Sequence, residues 1–146
     1  MQLEDSLYYL CSLIEFIGRK TKNRRKDVVS YLGDKAIQKI FELSDVYHCE
    51  QIEKVADDFI TSSHIPDGSF DNVGDCDYAV PNFWSIGRVF SSLVYRIMER
   101  KNLVLIDAVR SAFDSKAGDL ISDFNGLFFC ENPDNIYITW DTGIVE

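Results

Sequence analysis

Histidine, proline and long apolar runs are all scarce in this chain of 146 residues, which has two His and three Pro. No apolar run approaches the roughly 18–20 residues that a membrane-spanning helix needs, so no membrane partner is expected. The first ten residues, MQLEDSLYYL, carry acids where a secretion signal would be basic. Four cysteines, Cys11, Cys49, Cys76 and Cys130, include no CxxC pair. Together these absences favour a cytoplasmic protein with reduced thiols.

Motifs for catalysis, cofactors and metals are also missing. The His and Cys residues do not have the short spacings of a structural zinc site, and no glycine-rich phosphate loop is followed by Lys-Ser/Thr. The stretch DGSFDNVGDCDY resembles a calcium loop at Asp67, Ser69, Asp71 and Asp75. It has Asn72 where the loop needs glycine and Tyr78 where it needs a bidentate Glu. We therefore expect no enzyme, no cofactor and no metal site.

The composition is that of one folded domain spanning residues 1–146. Apolar residues make up 46% of the chain and aromatic residues 13%, enough for a packed core. Leu3, Leu7, Leu10, Ile14 and Ile17 follow steps of four and three, the period of one helical face.

Similar patterns predict further helices and one change of structure near the end. The helices are expected at about 26–32, after Gly33, at about 50–60, from the Asn82 cap onward, at about 103–113 and at about 116–124. The β-branched and aromatic stretch NIYITWDTGIV, residues 135–145, favours short strands. The predicted fold class is therefore mainly α, a compact helical domain with a short C-terminal β element.

Residues 61–82 break the helical pattern with two prolines, two glycines and four aspartates. A stretch of this length without periodicity indicates a functional loop or a linker. Large aromatic residues border it, and Tyr78, Phe83 and Trp84 are expected to be partly exposed. The candidate partner-binding residues of this irregular acidic loop are Asp67, Asp71, Asp75, Asp77, Tyr78, Phe83 and Trp84.

The two halves of the chain resemble each other. At a shift of 80, and of 81 after one inserted residue, 12–50 aligns with 92–131 and eleven of the 39 positions match. The match includes Ser12 with Ser92 and Cys49 with Cys130. Two interpretations stay open: a duplicated helical unit joined by the acidic loop, or two unrelated pairs of amphipathic helices.

The first half also resembles a family of short helical bacterial proteins of unknown activity, often encoded beside toxin-like transferases. The resemblance covers the stretch from SLIEF to DDFI, with a leucine (Leu32) ending a short helix and a DVYH corner at 45–48. It implies a compact helical module with no known activity of its own.

Charge gives the second candidate surface. The chain has a formal net charge of −9, yet six of its 15 Lys and Arg residues lie in GRKTKNRRK. These are Arg19, Lys20, Lys22, Arg24, Arg25 and Lys26. Such a run is either a solvated turn between helices or a contact surface for nucleic acid or an acidic partner.

Small size, an acidic body and the missing catalytic motifs favour a non-enzymatic protein-binding domain of immunity or antitoxin type. It would mask a basic protein partner with its acidic surface. The alternative is a nucleic-acid-associated regulator that uses the basic segment 19–26. The sequence leaves the oligomeric state open.

Overall fold

The computed structural model describes residues 2–144 and shows a mainly helical, compact fold, as predicted. Its α-helices are α1 (Leu3–Thr21), α2 (Arg25–Glu42), α3 (Ser44–Tyr47), α4 (Ile52–Ser62), α5 (Phe83–Lys101), α6 (Leu105–Phe113), α7 (Lys116–Ser122) and α8 (Pro133–Thr142). One 3₁₀ helix spans Phe128–Cys130. None of the helices in residues 2–144 combines the length and the apolar character that crossing a membrane requires.

The central feature is the packing of α1 against α5. The stripe predicted on α1 is fully buried from Leu7 to Ile17, and Phe90 and Val94 lie buried on α5. Gly87 lets the two helix backbones approach closely, because a Cβ there would lie 2.6 Å from Cα of Ser12. The buried apolar residues of both halves belong to one continuous core, which places α2 and α6 beside α1 and α5.

The predicted C-terminal β element is wrong, because residues 133–142 form helix α8 and the described part of the chain contains no strand. Asn132 caps this helix by accepting a hydrogen bond from the Asp134 amide, and Pro133 occupies its first turn. Ile136, Tyr137 and Thr139 are then buried on one face. Packing of that face outweighs the strand preference of the side chains. Val145, the last residue of the predicted element, lies outside the described residues.

The second and third predicted helices lie on either side of Gly33, where α2 bends sharply because Gly33 is not helical. Gly33 has φ of 77° and ψ of 170°, a backbone conformation open mainly to glycine. Asp34, directly after the bend, pairs with Arg110 of α6.

Several helices of the two halves start at positions that differ by 80 or 81, the same shifts that align the two halves of the sequence. Helices α1 and α5 both have 19 residues and begin 80 positions apart, and each ends at a left-handed residue, Lys22 and Asn102. The starts of α2 and α6 also differ by 80, and those of α4 and α8 by 81. The duplicated unit stays a prediction, and this recurrence supports it.

Candidate protein-binding surface

The basic segment 19–26 lies at the turn between α1 and α2, and its most buried member is Arg25. The Arg25 side chain donates from Nε to Oε1 of Glu15 and from Nη2 to Oε2 of Glu15, both at 2.9 Å. The exposed fractions of the two side chains are 1% and 0%. Arg19 donates from Nε to the same carboxylate at 2.7 Å. One buried Glu thus pairs with two of the six basic residues and balances one of their two charges, and it holds Arg25 in the two-pronged geometry that favours Arg over Lys.

Arg25 also ties the acidic loop to both halves of the molecule. Its Nη2 donates to Oδ1 of Asn72 at 3.0 Å, and Nδ2 of Asn72 donates to the Ser122 carbonyl at 2.9 Å. The Arg24 guanidinium lies 4.4 Å from the centre of the Phe70 ring. Loop residues Phe70 and Asn72 are therefore anchored by two adjacent arginines, since guanidinium groups stack on aromatic rings and donate hydrogen bonds.

Backbone groups of the turn anchor the rest of the loop. The Gly68 amide donates to the Thr21 carbonyl at 2.7 Å, and the Phe70 amide donates to the Lys22 carbonyl at 2.8 Å. Arg19 donates from Nη2 to the Pro81 carbonyl at 2.8 Å. These contacts order a segment that lacks helical or strand hydrogen bonding of its own.

The remaining basic side chains also have neighbours of opposite charge. Nζ of Lys20 lies 2.6 Å from Oδ1 of Asp57, and Nζ of Lys22 lies 3.9 Å from Oδ2 of Asp71. Lys26 lines a groove between α2 and α6 together with Asp27 and Asp114. Of the six basic residues, Arg25 alone is buried, while Lys20, Lys22 and Arg24 are exposed beside partners of the same chain.

The aspartates of the loop fall into two groups. Asp71 is engaged within the loop: its side chain is 40% exposed, and its Oδ1 accepts a hydrogen bond from the Gly74 amide at 2.9 Å. Asp67, Asp75 and Asp77 are exposed. Tyr78, directly after Asp77, is 61% exposed and is the most exposed aromatic side chain of the described residues.

Asn125, in the turn after α7, holds the exposed end of the loop. Oδ1 of Asn125 accepts from the Asp77 amide at 2.8 Å, and Nδ2 of Asn125 donates to the Asp75 carbonyl at 3.0 Å. This junction borders a cleft of about 200 Å³ that is lined by three carboxylates, those of Asp75, Asp119 and Asp123, by the Arg24 guanidinium, and by Phe70 and Phe124. We call it the acidic cleft. Asp119 and Asp123 were not candidates from the sequence, because only the folded chain brings α7 to the loop.

Phe83 and Trp84 are half-buried and belong to a separate aromatic cluster. The Trp84 ring centroid lies 5.5 Å from that of Tyr8 and 6.4 Å from that of His48, and the Phe83 ring packs edge-on against Phe16 at 5.1 Å. These two predicted binding residues therefore fasten the start of α5 to α1.

The Tyr9 hydroxyl, in the same cluster, is buried and has no hydrogen-bond partner among the described residues. Burial, with the Glu50 carboxylate nearby, raises the pKa of Tyr9 from 10.0 to about 12. Because the folded state favours the protonated hydroxyl, its contribution to stability is complete below pH 10 and is lost as the pH rises from 10 to about 12.

Replacing Tyr9 with Phe should leave the free energy of unfolding at pH 7 unchanged or raise it by up to about 1 kcal/mol, because no hydrogen bond is lost. The variant should also lose less stability than the wild type between pH 10 and about 12, because the contribution of Tyr9 to that loss is removed. Urea unfolding at pH 7 and between pH 10 and about 12 measures the free energy of unfolding under both conditions. Tyr31→Phe, at an exposed position, is the control. A loss above about 1 kcal/mol at pH 7 would show that the hydroxyl has a partner.

No His, Cys, Asp and Glu side chains of residues 2–144 gather in groups of three or more that could hold a metal ion. All four cysteines are free, and burial raises the pKa of the Cys11 thiol. No family model, curated protein or solved structure matches the chain. The resemblance of the first half to the short bacterial family stays a prediction.

Proposed function

We propose that this chain is a non-enzymatic binding domain that presents an acidic surface to a basic protein partner. One observation carries the proposal: the fold gathers the exposed carboxylates of Asp75, Asp119 and Asp123 around one cleft, with exposed Asp77 next to it in the loop, while it pairs Arg19, Lys20 and Arg25 with carboxylates of the same chain. Three different parts of the fold, the loop, α7 and the turn after it, meet at this surface.

Charge strengthens the proposal. Outside segment 19–26, nine Lys and Arg residues stand against 24 Asp and Glu residues. A surface of one dominant sign raises association rates with partners of the opposite sign and disfavours partners of the same sign. The acidic cleft sets three carboxylates, those of Asp75, Asp119 and Asp123, against one guanidinium group, that of Arg24, and so keeps an excess of negative charge.

The nucleic-acid alternative receives no such support. Arg25 is buried, and Arg19, Lys20 and Lys22 each lie within 4.0 Å of a carboxylate oxygen. Binding to phosphate would require these ion pairs to open on a protein with a net charge of −9. An immunity or antitoxin role is the specific form of the proposal, and it accords with the family resemblance.

The test combines capture with chemical mapping. The tagged chain is incubated with nuclease-treated lysate of the cells that naturally produce it, and a carbodiimide then links carboxylates to lysines in direct contact. We expect links from Asp75, Asp77, Asp119 or Asp123 to lysines of one basic protein. For that purified protein, Asp75→Asn with Asp77→Asn should weaken binding by about tenfold, close to 1.4 kcal/mol.

The matched control is Glu53→Gln with Asp107→Asn, which removes the same charge from exposed positions on α4 and α6. It should change the affinity less than twofold, by roughly 0.4 kcal/mol or less. If both double variants weakened binding equally, the loss of affinity would come from net charge alone and not from the proposed surface. Links confined to other carboxylates would contradict the proposed surface.

A further inference from the structure

Among the described residues that line the acidic cleft, Arg24 carries the one positive charge. Its guanidinium carbon lies 4.4 Å from the centre of the Phe70 ring, which forms one wall of the cleft. The other charged residues of the lining are Asp75, Asp119 and Asp123, and all three are exposed. A side chain of the protein itself therefore lies in the cleft where a basic side chain of a partner would bind.

Arg24 has fewer contacts than the neighbouring arginines of the basic segment. Its guanidinium has no ion pair and no hydrogen bond within residues 2–144, whereas Arg19 and Arg25 both pair with the buried carboxylate of Glu15. Arg24 is also exposed. For its side chain to turn into solvent, only the contact with Phe70 has to break, and cation–π contacts at exposed sites are weak.

The fold does not require arginine at position 24. Arg24 is the N-cap of α2, with φ of −58° and ψ of 143°, and its side chain makes no capping hydrogen bond. Helix N-caps favour Ser, Thr, Asp and Asn, and a positive charge at this end of a helix is unfavourable. The N-cap of α6, 80 positions later, is Val104. A residue that opposes the local preference without a stabilising contact in return indicates a role in binding.

The other charges near the cleft leave its sign unchanged. The guanidinium groups of Arg19 and Arg25 lie 5.2 and 5.9 Å from the centres of its two aromatic rings. Since both pair with the carboxylate of Glu15, together they add one positive charge to that of Arg24. Three lining carboxylates thus stand against two positive charges, and exposed Asp77, next to the cleft in the loop, adds a fourth carboxylate.

We infer that the acidic cleft binds an arginine side chain of the basic partner, and that Arg24 occupies the same position until the partner displaces it. Arginine is favoured over lysine because a planar guanidinium both stacks on an aromatic ring and donates two parallel hydrogen bonds to a carboxylate. The Phe70 amide keeps its hydrogen bond to the Lys22 carbonyl when Arg24 turns away, so the loop stays in place. Arg24 thereby lowers the affinity of the cleft. The inference rests on the proposed function, since it names the side chain that the same surface binds.

The test measures binding of two labelled peptides, tetra-arginine and tetra-lysine, each acetylated and amidated at its ends. Fluorescence anisotropy at low ionic strength, where screening is weak, reports the affinity for the full chain. The wild type should bind tetra-arginine with a dissociation constant below about 1 mM, and tetra-lysine about threefold more weakly. Asp75→Asn with Asp77→Asn should weaken the binding of tetra-arginine about tenfold.

Arg24→Gln should tighten the binding of tetra-arginine by about threefold to tenfold, because the peptide no longer has to displace a guanidinium from the Phe70 ring. The melting temperature should stay within about 2 °C of the wild type, since position 24 is exposed and loses no ion pair. Lys39→Gln is the matched control, because it removes the same charge from an exposed position of α2 beyond the Gly33 bend. It should tighten binding by less than about twofold.

Three results would overturn this inference. The first is an effect of Arg24→Gln no larger than that of Lys39→Gln, and the second is equal binding of tetra-arginine and tetra-lysine by the wild type. Either would leave the proposed function standing if the Asp75→Asn, Asp77→Asn variant still bound more weakly. The third is binding of tetra-arginine that this aspartate variant does not weaken, or no saturable binding at about 1 mM peptide, which would contradict the proposed surface as well.

Discussion

Arg25→Met is expected to lower the free energy of unfolding by about 3 kcal/mol, the lower end of the cost of removing one member of a buried ion pair. The side chains of Arg25 and Glu15 are almost entirely buried, so water cannot replace the lost guanidinium. The value lies at the lower end because Arg19 still pairs with Glu15. Urea denaturation followed by circular dichroism measures the change.

The same variant should loosen the acidic loop more than the helices. Asn72 loses the hydrogen bond from Arg25, although its bond to the Ser122 carbonyl is retained. Hydrogen exchange should therefore accelerate most in residues 66–76, whose backbone is anchored to the turn rather than to a helix or sheet.

Two variants serve as controls for Arg25. Arg110→Met breaks an exposed ion pair with Asp34 and should cost at most about 1 kcal/mol. Glu15→Leu combined with Arg25→Met should cost less than Arg25→Met alone, because no buried carboxylate is then left with reduced pairing. A loss for Arg25→Met no larger than that for Arg110→Met would contradict the role of the buried pair.

Gly87→Val is expected to cost about 3 kcal/mol, at the upper end for overpacking a core. A Cβ at Gly87 would lie 2.0 Å from Oγ and 2.6 Å from Cα of Ser12, and the second of these atoms is backbone. A rotamer change at Ser12 therefore cannot relieve the contact, and α1 must move away from α5. Urea unfolding and the melting temperature both report this loss.

Ser85→Val places the same side chain at an exposed position of α5 and should change the free energy of unfolding by no more than about 0.5 kcal/mol. Ser12→Gly in the background of Gly87→Val removes the Oγ and Cβ contacts and should recover part of the loss. If Gly87→Val is as stable as Ser85→Val, the close approach of the two helices is wrong.

Periodicity predicted most of the helices, because burial against a neighbouring helix requires apolar side chains at steps of three and four. Helix α1 follows this rule over its whole buried stripe, and the Asn82 cap of α5 was also foreseen. The rule was insufficient for α8, where Ile136, Tyr137 and Thr139 have side chains that favour strands. The Asn132 cap and Pro133 start this helix, and packing against α5 and α7 outweighs the strand preference of its buried side chains.

The candidate surfaces also divide into residues that the sequence predicted and residues that it missed. Asp75, Asp77 and Tyr78 were predicted from the irregular loop and are exposed in the structure. Glu15 was not a candidate, since a single acid inside an apolar stripe indicates no partner until a turn brings Arg25 to it. Asp119 and Asp123 were also missed, because their proximity to Asp75 comes from residues far apart in the chain.

By itself, the sequence determined the helical class, the irregular loop and the excess of acidic charge, since periodicity, turn residues and net charge are local or additive properties. The tertiary structure alone decided where each charge of the basic segment lies. In the sequence, Arg24 and Arg25 look equally solvated. Folding places Glu15 and Asn72 around Arg25 and buries its charge in an ion pair, while Arg24 stays exposed on the Phe70 ring.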